Sequence, residues 1–198
     1  MDYSDLCRRN GQLIWREFSL DWIMARIIIV YSTTDGHTRD ICQFLARVIE
    51  KRGNQVVLHS LADDAEIDLN PFDKIVIGAS IRYGKHRPEV YAFIKNRLPV
   101  LNQKPNAFFS VNVVARKPDK NQPETNPYLL KFLRQVPWKP QKLAVFGGKI
   151  EYRKYPFWDR AMIRFIMWMT NGPTQPNTNI DFTNWNQVED FGQVISEL

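Results

Sequence analysis

Short β-branched and aliphatic runs alternate along this chain with segments whose apolar positions recur every three or four residues. Arg26, Ile27, Ile28, Ile29, Val30 and Tyr31 form the first run, and its near-continuous hydrophobicity is that of a strand buried on both faces. From Thr38 the period changes: Ile41, Leu45, Val48 and Ile49 fall on one helical face, and Gly53 supplies the stop. Residues 55–59, 74–79, 107–115 and 143–147 read as four more strands. Pro88 opens a helix that carries Val90, Tyr91, Phe93, Ile94 and Leu98 on one side. A last amphipathic helix turns Trp185, Val188, Phe191, Val194 and Ile195 inward.

Strands that alternate with helices predict an α/β fold, a doubly wound five-stranded parallel sheet. Such sheets take their ligands at the carboxyl ends of the strands. Three loops stand there, at residues 32–38, 80–86 and 148–155. Residues 116–142 are too long for an ordinary connection and read as an insertion between the fourth and fifth strands. Within them Tyr128, Leu129, Phe132, Leu133 and Val136 predict one short amphipathic helix. Residues 157–169 are apolar almost all round, broken by Asp159, Arg160 and Arg164; a core helix and an interfacial one both fit. Residues 172–179 read as a surface loop.

Composition narrows the class. With 198 residues, 44% of them hydrophobic, the chain can bury a full core without disulfides. Cys7 and Cys42 read as ordinary thiols, and no metal-ligand spacing is present. No segment has the roughly 20 apolar residues that cross a bilayer. Residues 1–23 are charged, lack an apolar secretory core and read as an extension outside the fold, which is expected at 24–198. The net charge is +6, and residues 116–142 alone carry seven Lys/Arg against Asp119 and Glu124. That excess points to anionic partners, yet the chain has no nucleic-acid-binding motif.

The loop after the first strand carries the most specific chemistry. Ser32, Thr33, Thr34 and Thr38 bring hydroxyls to a helix start, and Gly36 lets the backbone wrap closely. Hydroxyl capping of a helix and a phosphate cradle both fit the loop alone. Its position after the first strand of a parallel sheet favours phosphate. The absence of GxxxxGK[ST] and GxGxxG argues against nucleoside triphosphates and dinucleotides. The run from Tyr31 through Ser32, Thr33, Thr34, Asp35, Gly36 and His37 to Thr38 resembles the flavodoxin signature for the phosphate of FMN. His37 stands where many flavodoxins carry Asn, and its ring can still donate.

Longer motifs resemble one family, the bacterial quinone-dependent protoporphyrinogen IX dehydrogenases, over about residues 24–195. They are residues 32–39, 76–84, 109–118 and 152–156 with the helix at 158–167, and the most discriminating stretches surround Arg82 and Arg116. The resemblance implies a flavodoxin-like fold, FMN as cofactor, six-electron oxidation of protoporphyrinogen IX in haem biosynthesis, and menaquinone or ubiquinone as acceptor. Cofactor contacts are then expected from Ser32, Thr33, Thr34, Gly36, His37 and Thr38, and from Ala79, Ser80, Ile81, Arg82, Tyr83 and Gly84, with Tyr83 able to stack on the flavin ring. Arg116, Lys117, Arg153 and Lys154 are the candidates for the substrate carboxylates. His86 reads as a surface residue of the second loop, and no catalytic base is assigned. A lipid-soluble quinone makes a peripheral location useful, with the chain on an anionic membrane at the cytoplasmic face of the inner membrane. A flavodoxin electron carrier and an NAD(P)H:quinone oxidoreductase are the alternative functions on this fold; the pI of 9.4 argues against the carrier, since flavodoxins are usually acidic.

Overall fold

The computed structural model describes residues 24–63, 66–152, 157–169, 172–175 and 179–198. Five strands, β1 (Arg26–Ser32), β2 (Gln55–Ser60), β3 (Lys74–Ser80), β4 (Asn106–Asn112) and β5 (Lys142–Gly147), form one sheet in the order β2-β1-β3-β4-β5. Every pairing is parallel, as the continuous apolar runs require. The order reverses between β1 and β3, so the crevice at their carboxyl ends is the expected ligand site.

Strand periodicity divides the core in two. Ile28, Val30, Ile77 and Phe108 face one side, where Val90, Phe93 and Ile94 of α2 (Pro88–Gln103) cover them with Leu129 and Phe132 of α3 (Pro127–Gln135). Ile27, Ile29, Val76 and Phe109 face the other, under Ile41 and Leu45 of α1 (His37–Glu50) and Val188 and Phe191 of α5 (Trp185–Glu197). Gly78 is required inside β3, because a Cβ there would lie 2.1 Å from the Phe109 ring.

Two features differ from the sequence pattern. β4 stops at Asn112 rather than at Ala115, because the Asn112 side chain accepts the Ala115 N–H at 3.1 Å and turns Val113–Arg116 into a 3-10 helix. Residues 116–142, read as an insertion, hold the crossover helix α3 itself, capped by Asn126, whose side chain accepts the N–H groups of Tyr128 and Leu129.

The departure from a plain doubly wound sheet comes after β5. There β6 (Lys149–Glu151) pairs antiparallel with β7 (Asn179–Asp181), and α4 (Phe157–Met169) lies between them in sequence. Ile150, Tyr152 and Met167 form a small third core with Val113, Ile163 and Phe182. Asn179, the end of the expected surface loop, opens β7. No helix of the described residues is long and apolar enough to cross a membrane.

Candidate active site

β1 ends and α1 begins within four residues. Gly36 makes the turn at φ 88°, a left-handed conformation that side chains resist, and its N–H donates to Thr33 Oγ1 at 3.0 Å. No side chain among the described residues caps α1, so its first N–H groups open into the crevice. Thr38 Oγ1 is buried there without a hydrogen-bond partner among the described residues. Ser32 turns the other way: it shares the strand face of Ile28 and Val30, and its hydroxyl donates to Glu89 at 2.9 Å. His37 Nε2 lies 2.7 Å from Thr183 Oγ1, which donates its own proton to the Gly147 carbonyl at 2.8 Å. His37 is therefore the donor, towards Thr183 at the end of the β6–β7 excursion. Burial pushes its pKa down, against the opposing pull of Asp181 and Asp40.

The β3 end supplies the second wall. Ser80 Oγ is also buried without a partner among the described residues, whereas Ala79 packs into the core beside α2. Arg82 and Lys85 exchange backbone hydrogen bonds at 2.9 and 3.1 Å around Tyr83 (φ 51°) and Gly84 (φ 74°). Two successive positive φ values define a type I′ turn. Tyrosine in that conformation costs roughly 1–2 kcal/mol. The strain holds a ring 56% exposed at the cavity, with the Arg82 guanidinium 5.4 Å from its centre. Arg82 also reaches Asp35 at 2.8 Å, linking this turn to the first loop.

The β4 and β5 ends close the site. Asn112 belongs to a buried chain that runs from His86 Nε2 to Ser110 Oγ (3.1 Å), on to Asn112 Nδ2 (3.4 Å), and to Asn126, which donates to Asn112 Oδ1 at 3.2 Å. His86 is thus not at the surface: the rings of Phe108 and Phe132 flank it, and burial lowers its pKa to about 3. Arg116 donates to the Val113 carbonyl at 3.2 Å; burial pulls its pKa down and Tyr152 opposes the shift.

These walls enclose one cavity of about 530 Å³, a size usual for a small-molecule site. Of the residues expected at the site, Thr33, Thr34, His37, Thr38, Ser80, Ile81, Arg82, Tyr83, Gly84 and Arg116 line it; Ser32, Gly36, Ala79 and Lys117 do not. Arg153 and Lys154 lie outside the described residues. Asn112, Lys149, Met162, Ile163 and Met167 line it too, and sequence reasoning had not assigned them there. Asn112 alone carried a signal, a polar residue at a strand's carboxyl end. The buried, unpartnered Thr38 and Ser80 hydroxyls, beside an uncapped helix start, fit a phosphorylated, polyhydroxylated ligand such as FMN.

Residues 28–177 match the flavodoxin domain family. The protoporphyrinogen IX dehydrogenase [quinone] of Escherichia coli (strain K12) is 40% identical over 173 residues, covering 87% of this chain and 96% of that protein. The chain belongs to the quinone-dependent protoporphyrinogen IX dehydrogenase family. A protein of the same name from Leishmania major is 38% identical over 174 residues, 87% of this chain and 75% of its own length. Among solved structures, a WrbA-like flavodoxin from Agrobacterium tumefaciens aligns at a TM-score of 0.50 and 11% identity, over 87% of this chain and 96% of that one. A flavo di-iron protein from Thermotoga maritima aligns at 0.50 and 14%, over 87% and 36%. Both share the fold. As a protoporphyrinogen IX dehydrogenase family member the chain is an oxidoreductase on a flavodoxin-like sheet. The cavity just described lies at the carboxyl end of that sheet.

Proposed function

We propose that this chain oxidises protoporphyrinogen IX to protoporphyrin IX with FMN as cofactor, a membrane quinone (menaquinone or ubiquinone) taking the electrons. One observation carries the reading: a single cavity joins the hydroxyl-lined start of α1 to an apolar wall from α4, with Arg116 beside it. Bound FMN supplies the two-electron acceptor that protein side chains lack, and six electrons per porphyrin require three turnovers. The chain's own residues position and shield. Thr33, Thr34, Thr38 and the first N–H groups of α1 hold the phosphate, and Gly36 lets the backbone close on it. Ser80 meets the ribityl and ring edge, and Tyr83 in its strained turn covers the ring.

Arg116 pairs with a propionate of the substrate, and Met162, Ile163 and Met167 contact the flat tetrapyrrole and exclude water. The location we propose is the cytoplasmic face of the inner membrane, held peripherally. In support, the side of α4 away from the cavity carries Trp158 (80% exposed), Trp168 (69%), Phe157 and Phe165, with Arg164 exposed beside them. Aromatic rings flanked by arginine suit the headgroup layer of an anionic bilayer.

The test is anaerobic turnover of the FMN-loaded chain on anionic liposomes containing menaquinone, followed by porphyrin fluorescence. Continuous porphyrin formation that depends on the quinone is expected. If porphyrin fails to form with quinone and liposomes present, the reading is wrong.

A further inference from the structure

Lys149 has no part in the roles above, yet the fold takes trouble to place it. β5 ends at Gly147, where a Cβ would lie 2.1 Å from the Phe182 carbonyl oxygen, so only glycine lets β7 approach. Gly148 then donates to the Asn112 carbonyl at 3.1 Å and accepts from the Phe182 N–H at 3.2 Å. These contacts fix the start of β6, and β6–β7 pairing sets Lys149 opposite Asp181. Asp181 in turn lies 3.4 Å from His37 Nε2. Lys149 thus enters the cavity on the side of His37 and Thr38, close enough for its charge to act on the His37 ring.

The first loop brings only neutral donors, hydroxyls and N–H groups, to a ligand that carries nearly two negative charges. Its two charged residues are committed elsewhere: Asp35 is acidic and bound to Arg82, and His37 donates to Thr183. The Lys149 side chain is one-third exposed and stands 3.7 Å from Glu151, an ion-pair distance longer than a hydrogen bond. An ammonium has three donors and can serve a carboxylate and a phosphate together.

We propose that Lys149 is the cationic partner of the flavin phosphate, the residue that makes this cavity select FMN over riboflavin. This rests on the FMN reading of the cavity and adds a residue from β6 to a site otherwise built at the ends of β1 and β3. Glu151 competes with the phosphate for the ammonium and so moderates the affinity.

Binding constants for FMN and for riboflavin, from quenching of flavin fluorescence at several salt concentrations, test this. Lys149→Met is expected to weaken FMN about tenfold, as for loss of one charge-assisted contact at a partly exposed site, and to leave riboflavin unchanged. Its FMN affinity will also depend less on salt, and Lys149→Arg will stay near wild type. Glu151→Gln, which keeps Lys149 in place, is expected to tighten FMN and not riboflavin. Equal loss of both flavins in Lys149→Met, or no loss of FMN, would overturn the assignment, as would an unchanged FMN affinity in Glu151→Gln. A wild-type chain that bound neither flavin would overturn the cofactor reading and this assignment with it. A wild-type chain that binds both flavins, with no selective effect of these variants, would overturn the Lys149 assignment alone.

Discussion

Arg82 Nη1 lies 2.8 Å from the Asp35 carboxylate, tying the turn after β3 to the loop after β1 along the cavity wall. Both side chains keep contact with solvent, so the pair adds at most about 1 kcal/mol to the fold. Its larger effect is expected on exchange of an occupant held between the two loops. Asp35→Ala and Arg82→Ala should each raise the FMN dissociation rate several-fold while melting stays near wild type. In a double-mutant cycle the second substitution should add little to the first. Fully additive rate effects would show that the two loops are not coupled through this pair.

Tyr83 holds φ 51°, a conformation glycine adopts without cost. Tyr83→Gly should therefore keep the stability of the flavin-free chain or raise it by about 1 kcal/mol, and still weaken flavin binding. Urea melts with and without FMN separate the two effects. A destabilised flavin-free variant would mean that the ring is needed for the fold.

Gly78→Ala would set a methyl group against the Phe109 ring in the centre of the sheet. A loss of about 1–3 kcal/mol is expected in denaturant unfolding. Gly78→Ala combined with Phe109→Leu should recover part of it. No recovery would locate the cost in the β3 backbone instead.

His86 is neutral in the folded chain, its pKa lowered from 6.5 to about 3 by burial. The unfolded chain binds that proton near pH 6.5 and the folded chain only near pH 3, so stability present above 6.5 is lost as the pH falls between them. His86→Gln should lose about 2 kcal/mol less than wild type between pH 6.5 and 4.5, by the linkage slope of about 1.4 kcal/mol per pH unit. Equilibrium unfolding at both pH values reads this out. Parallel losses in the two proteins would place the acid sensitivity elsewhere.

Where the sequence pattern succeeded, the signal was local. Ile27 to Tyr31 had to be a strand buried on both faces, Pro88 had to start a helix, and Gly36 marked the tight turn from β1 into α1. Even the turning of Ser32 towards Glu89 follows from strand period, since it shares parity with Ile28 and Val30. What escaped depends on distant partners. β6 and β7 are three residues each and pair across an intervening helix, so neither has a periodicity of its own. His86 is buried only because Phe132 of α3 and Phe108 of β4 close over it. Lys149 reaches the cavity because Gly147 admits Phe182, a contact between residues 35 apart in sequence. Residues 116–142 looked like an insertion because the crossover helix starts only at Pro127, after a 3-10 turn at Pro118–Lys120 and further irregular chain.

Rapid anaerobic mixing of the FMN-loaded chain with protoporphyrinogen IX shows whether the cavity beside Tyr83 and Arg116 passes electrons from that substrate to the flavin, as proposed. The visible absorption of the flavin is expected to bleach in a single turnover. A flavin that stays oxidised in the presence of excess protoporphyrinogen IX would contradict it.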